Sequence, residues 1–268
     1  MPSSAPQTEA ALPAPAAGSL YDVLAAWQGQ MPWGRVLDAG SGVISLGWLL
    51  GQTTQSWTAV SAEASMHAAL QRMAGARQRP QDRIVLGNWA DEKLLHGQQF
   101  DTVLVDYLIG ALEGFAPYWQ ERLFARLRPL VCQRLYIIGL EPYVPYWPPA
   151  GDGAARLVCE IGRLRDGCLL LAGQRPYREY PLDWVLRQLR QAGFRVLTAR
   201  HFAGQYGAQF VRNHLGVCAQ CIAHLQDRNL AGQLMAHMHD VQRRAEAWIA
   251  THGALVHGSD YVVAAQPG

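Results

Sequence analysis

The chain has 268 residues and a formal net charge of +2, with 16% charged and 50% apolar residues. That length suits one α/β domain with insertions, and the apolar share supplies a large core. So small a net charge leaves no electrostatic footprint for nucleic acid, and no apolar run approaches the ~20 residues of a membrane span.

Residues 1–18 are rich in Ala, Pro and Ser and lack a basic start followed by a continuous apolar run, so a disordered tail is expected there. The folded domain is taken as 19–268. Ser19 is placed to cap a helix from Leu20 to about Gln28, with Tyr21, Val23, Leu24 and Trp27 along it. The stretch Arg35 to Leu50, RVLDAGSGVISLGWLL, then reads as a buried strand ending in Asp38, a turn through Gly40, Ser41 and Gly42, and a helix. Glycines let backbone approach a ligand, and the free N–H groups of a helix start complement the carboxylate.

Ser56 to Ser61 is a second strand, with Ala62 and Glu63 just past it and a helix from about Ala64 to Gly75. A third strand and turn occupy Arg83 to Asp91. The fourth strand, Phe100 to Leu108, carries Asp106 and Tyr107 at its end, where open α/β sheets keep their ligands. A helix cap is the other role open to Asp106. An aromatic stretch, Gly114 to Gln120, precedes a helix over Glu121–Leu127, and Arg134–Leu140 is the fifth strand, ending at Glu141. Ala155–Arg165 reads helical, with the apolar run Cys168–Ala172 as a possible extension. A helix from Pro181 to Gln191 leads to a sixth strand, Arg195–Arg200. Helices over Gln209–Leu225 and about Leu230–Thr251 come before a seventh strand, Tyr261–Ala265.

Within this order the first motif resembles that of the class I S-adenosylmethionine-dependent methyltransferases, a hydrophobic residue followed by L-D-x-G-x-G-x-G, with Ile44 where the last glycine usually stands. The order of elements is similar from Ser19 onward, and specific matches fall on the first, second and fourth strands. The resemblance implies a Rossmann-like sheet of seven strands, mostly parallel with the seventh antiparallel, flanked by helices. It also implies S-adenosyl-L-methionine as cofactor. Asp38, Gly40, Ser41 and Gly42 would then lie against its amino-acid end, with Tyr21 as a covering contact. Ser61 occupies the usual position of the ribose acid, so Glu63 becomes the expected ribose ligand, with Ser61 or Ala62 lining the site. Asn88 is a candidate for the adenine edge and Trp89 for a stacking contact. A turn residue and a buried indole are the plainer readings of that pair.

The family places the end of the fourth strand beside the transferred methyl, which makes Asp106 and Tyr107 site residues. Methyl transfer needs alignment and exclusion of water above all, and a base only if the acceptor must lose a proton. Asp106, Glu141 and His201 are the candidate bases, with tyrosines such as Tyr177 orienting the acceptor. Asp106 and Glu141 also leave a metal-assisted reaction open, although no metal site is expected. Insertions at about 141–180 and 205–253 read as helical lids bearing Tyr143, Tyr146, Trp147, Tyr177, Tyr180 and Tyr206, walls that suit a small apolar, aromatic or cationic acceptor. A non-catalytic cofactor-binding protein, a dinucleotide-dependent reductase and a macromolecular methyltransferase are the rival readings. The five cysteines include Cys218 and Cys221 in a C-x-x-C pair, which on a helix reads as packing rather than zinc ligation. Cysteine usage points to a reducing, cytoplasmic setting. A homodimer is open, and neither nucleic acid nor membrane is expected as a partner.

Overall fold

The computed structural model describes residues 19–144, 148 and 151–268. Seven strands form one sheet in the order β3-β2-β1-β4-β5-β7-β6. The parallel strands are β1 (Arg35–Asp38), β2 (Ser56–Ser61), β3 (Arg83–Leu86), β4 (Phe100–Asp106) and β5 (Val131–Leu140), and β7 (Leu255–Pro267) runs antiparallel to β5 and to β6 (Phe194–Tyr206). The chain builds outward from β1 to β3, then returns to lay β4 against the other edge of β1. That reversal opens a crevice at the carboxyl ends of β1 and β4, the place where such sheets bind ligands.

β4 illustrates why these residues make a central strand. Val103 and Val105 enter the core on one face, with Ile109, Leu123, Phe124, Leu127, Val185 and Leu189. Leu104 points to the other face, among Val23, Leu24, Trp27 and Tyr136. Both faces are covered, so the run is continuously apolar, and the two-residue alternation decides which helices each side chain meets. Helices α1 (Leu20–Gln28), α2 (Val43–Leu49) and α3 (Ala64–Ala74) cover one face; α4 (Leu108–Phe115), α5 (Leu123–Leu127) and α7 (Leu182–Gln191) cover the other. Ser19 and Asp22 form a reciprocal capping box at the start of α1.

The two inserted regions do not form separate flaps. α6 (Gly153–Leu171), α8 (Ala208–Ala223) and α9 (Arg228–His252) pack on one another and on Leu255 of β7, around a core of their own containing Val158, Ile161, Val211, Leu215, Ile222 and Val241. α6 runs unbroken through Cys168, so the apolar run there extends the helix. β6 and β7 are each much longer than their apolar segments predict, because they pair with one another past the sheet, from Phe194↔Pro267 to Tyr206↔Leu255. Gly204, Gly258 and Ser259 lie in that ribbon, where apolar alternation gives no signal. Among the described residues no helix is long and apolar enough to cross a membrane.

Candidate functional site

A cavity of about 230 Å³ opens at the switch point. Gly40, Ser41 and Gly42 line it from the first turn, Ser61, Ala62 and Glu63 from the end of β2, Asn88 and Trp89 from the turn after β3, and Asp106 and Tyr107 from the end of β4. The glycine turn is pinned by the Ser41 N–H to the Val60 carbonyl at 2.7 Å. A side chain built at Gly42 would meet nothing within 4 Å, so this turn borders open space.

Asp38 sits directly beneath the turn and is fully buried. Its Oδ2 accepts the Ser45 hydroxyl at 2.7 Å, while the same Ser45 Oγ accepts the Gly42 N–H at 3.0 Å. Its Oδ1 has no partner among the described residues. Burial, with a smaller push from Asp106, raises the Asp38 carboxyl to about 7. Ser45 is a neighbour of the turn that the motif alone does not single out; its signal is a hydroxyl in the first turn of α2, three residues after Gly42.

The end of β4 is bound on two sides. Tyr21 of α1 donates to Asp106 Oδ2 at 2.7 Å and stacks on Trp48 at 5.1 Å. Tyr107 has φ +47 and donates to Asp260 Oδ1 at 2.9 Å. Asp106 Oδ1 is shut off from solvent without a partner among the described residues. Burial, with Asp260 adding to it, lifts Asp106 to about 6. Asp260, on β7, was not singled out in the sequence, since the ribbon that brings it to Tyr107 is formed by pairing far along the chain.

Other residues of the expected set have duties of their own. Trp89 is buried and its indole N–H donates to the Ala39 carbonyl at 2.6 Å, so only its ring is left for the cavity. The Asn88 amide donates to the Phe115 carbonyl at 2.7 Å and its oxygen accepts the Ala90 N–H, which makes it a turn-former lining the wall. Ser61 Oγ accepts the Glu63 N–H at 3.3 Å, and Glu63 lines the cavity itself. Met66, Gly87, Leu108 and Ala111 also line it without having been expected there, and Phe115 joins them from the aromatic stretch.

Glu141 and His201 require a correction as candidate bases. They pair at 2.9 Å, and the same Glu141 oxygen accepts the Leu182 N–H at 3.0 Å, at the start of α7. Neither lines the cavity. The strand end that carries Glu141 faces α7 rather than the crevice, so this carboxylate acts as a helix cap.

Tyr177 borders the first cavity and two larger spaces, one of about 1040 Å³ lined by Tyr118, Tyr143, Asp166 and Glu179, the other of about 930 Å³ lined by Glu63, Asn213 and His214. Arg165 lines both outer spaces. Tyr180 is turned away, packed on Trp184 at 4.2 Å, and Tyr206 stacks on Phe210 at 4.3 Å. Tyr146 and Trp147 lie outside the described residues. Cys218 and Cys221 are buried free thiols on α8, and among the described residues no cluster of His, Cys, Asp and Glu is arranged to hold a metal ion.

The strand order, the antiparallel β7 and the glycine turn at the switch point together define the fold of the class I methyltransferases. Solved structures bear this out. A candidate methyltransferase of Bacillus halodurans matches at TM-score 0.52 with 11% identity, over 88% of this chain and 92% of its own. The YcgJ protein of Bacillus subtilis matches at 0.52 with 14% identity, over 89% and 93%. The cyclase SpnF matches at 0.51 with 14% identity, over 91% and 79%. No family model and no curated protein matches the sequence. At such identities the likeness is one of fold, and the presence of a cyclase leaves the reaction to be argued from the site.

Proposed function

We propose that the protein is an S-adenosylmethionine-dependent methyltransferase acting on a small molecule. The observation that carries this reading is an open glycine turn and the Asp106 carboxylate on one cavity, with Asp38 buried behind the turn; each carboxylate keeps one oxygen without a partner among the described residues. Buried polar atoms without partners are costly, so the open Asp106 oxygen at the cavity fits a ligand that completes it. The zwitterionic, cationic end of the sulfonium cofactor has that chemistry, and the residues present fit it.

When bound, the cofactor supplies an electrophilic methyl group on a sulfonium sulfur. The chain's own residues have three tasks. Ser41 and the turn, backed by Asp38 through Ser45, hold the amino-acid end; Glu63 is placed to accept from the ribose hydroxyls; Trp89, Met66 and Phe115 exclude water around the base. Asp106 and Tyr107, fixed by Tyr21 and Asp260, face the methyl end, and the large cavity beyond Tyr177 receives the acceptor. Alignment across that junction is the main catalytic contribution.

Calorimetry with S-adenosylhomocysteine tests the reading. The wild type is expected to bind, and Asp38→Asn to bind at least tenfold more weakly, about 1.4 kcal/mol. Absence of heat with the wild type, or stabilisation by NAD(H) in its place, would overturn it. Transfer of labelled methyl from S-adenosylmethionine into a metabolite extract then separates an enzyme from a binding protein.

A further inference from the structure

The cavity at the switch point and the two larger spaces beside it meet at one side chain. Among the described residues Tyr177 is the only one that lines all three. With the cofactor in the first space and the acceptor in an outer one, this ring stands between donor and acceptor. It is brought there by a strap, residues 172–181, that joins α6 to α7 and crosses α4. A Cβ added at Gly114 of α4 would lie 3.4 Å from Tyr177 Cε1, so the ring passes directly over that position. One turn earlier, a Cβ at Gly110 would collide with the Glu179 carboxylate, so the strap lies close against the helix there as well.

For a cavity wall the strap is lightly built. It contains no helix or strand, and no residue from Leu169 to Pro181 is buried; Tyr177 itself is 51% exposed. Its ends are fixed. Gln174 N–H donates to the Leu169 carbonyl at 2.8 Å, and the Tyr180 carbonyl accepts the Tyr261 hydroxyl at 2.9 Å. Between those ends, Arg178 N–H donates to the Gly110 carbonyl at 3.1 Å. Arg175 pairs with Glu113 at 2.8 Å and lies over the exposed Tyr118 ring at 5.2 Å. Glu113 is the fixed half of that pair, buried on α4 and held from behind by Gln120 Nε2 at 2.9 Å. A segment with no buried residue and solvent-facing attachments opens at far less cost than the sheet and helices around it.

We infer that this strap is a gate latched by the Glu113–Arg175 pair, and that Tyr177 swings out of the junction to admit the cofactor and to let the acceptor meet the methyl group. The inference rests on the methyltransferase reading. In-line transfer needs the reacting atoms about 3–3.5 Å apart, and a phenol ring on the boundary between the two spaces keeps them further apart than that. The first space, at about 230 Å³, is also smaller than the ~300–1,000 Å³ of ordinary ligand sites. Of the aromatic side chains around it (Trp89, Tyr107, Phe115 and Tyr177) Tyr177 is the most exposed, so withdrawing it enlarges the space with least disturbance. Once it is withdrawn, the first space runs into both outer ones. With the latch closed again, the same ring shields the methyl end from water.

The test uses the full chain and S-adenosylhomocysteine, followed by stopped flow on tryptophan fluorescence, since Trp89 lines the cavity. Arg175→Gln opens the latch at its exposed end. It is expected to raise the association and dissociation rates together by about fivefold, the scale of one exposed ion pair, at an unchanged melting temperature. Arg175→Lys keeps the charge and should return both rates to those of the wild type. Tyr177→Ala, the second variant, should speed association by a similar factor. Hydrogen exchange over residues 172–181 should be faster in Arg175→Gln than in wild type, and slowed in both by S-adenosylhomocysteine. If S-adenosylhomocysteine binds but either Arg175→Gln or Tyr177→Ala takes it up at the wild-type rate, the gate is overturned. It is also overturned if Arg175→Gln changes dissociation alone, since Arg175 would then hold the ligand itself, or if the strap exchanges alike in wild type and variant. If S-adenosylhomocysteine does not bind at all, the methyltransferase reading fails and takes this inference with it.

Discussion

Ile44 is where the first motif departs from the family pattern, and its position shows why the departure is tolerated. It is the second residue of α2 and 72% exposed, directed to solvent and absent from the cavity wall. The elements that must come close at this turn are the Gly40 and Gly42 backbones, and Gly40 is tight against Leu108, whose Cβ would lie 2.8 Å from an added methyl. A third glycine would therefore bring no further access. Ile44→Gly is expected to leave the dissociation constant for S-adenosylhomocysteine within twofold, while lowering stability by ~1 kcal/mol through lost helix propensity. Tenfold tighter binding by that variant would show that Ile44 crowds the site after all. Tyr107 is the opposite case. Its left-handed backbone is costly for a bulky residue, and the bond to Asp260 helps hold it there.

At the scale of elements, Glu141 shows how a carboxylate at the end of a parallel strand can serve the fold instead of the chemistry. It satisfies the Leu182 N–H, one of the donors that a helix start leaves open, from 41 residues away. Glu141→Ala is expected to cost about 1 kcal/mol in urea denaturation, typical of a lost cap, with S-adenosylhomocysteine affinity unchanged. A tenfold loss of affinity without loss of stability would return Glu141 to the site. β2 and β4 were legible because both faces are buried and their runs are short, apolar and punctuated by Asp106, Ser61 and the glycines. The ends of β6 and β7 were not, since Gly204 and Gly258 in a ribbon paired with itself carry no alternation. Asp260 was missed for the same reason: its neighbour Tyr107 is set by strand pairing remote in sequence. Asp38, Gly42 and Asp106 could be placed at strand ends and in the turn because turn chemistry and strand ends are local.

Across the whole molecule, the site makes the unliganded protein depend on pH in an uncommon direction. Most folded carboxylates are held low by partners, as Asp82 is by Arg79 and Glu113 by Gln120 and Arg175 despite their burial, so their stabilisation is lost as pH falls through the acid range. Asp38, Asp106 and Glu179 are instead raised by burial to about 7, about 6 and about 7, and Asp166 and Asp260 shift the same way. Between about pH 4, where such groups ionise in an unfolded chain, and about pH 7, the folded state holds more protons than the unfolded one. Stability from these groups is therefore greatest at the acid end and declines as pH rises through their folded values. His214, lowered to about 4 by burial, opposes this, since it loses stability as pH falls below its ordinary value. One imidazole stands against five carboxyls, so the unliganded protein is expected to melt highest near pH 5 and several degrees lower at pH 8. Asp38→Asn, which removes one raised group, should flatten that slope and gain stability at pH 8 relative to wild type. A melting temperature that climbs steadily from pH 5 to pH 8 would mean that these carboxylates are already paired in the unliganded state, and the open oxygens of Asp38 and Asp106 would no longer argue for a ligand.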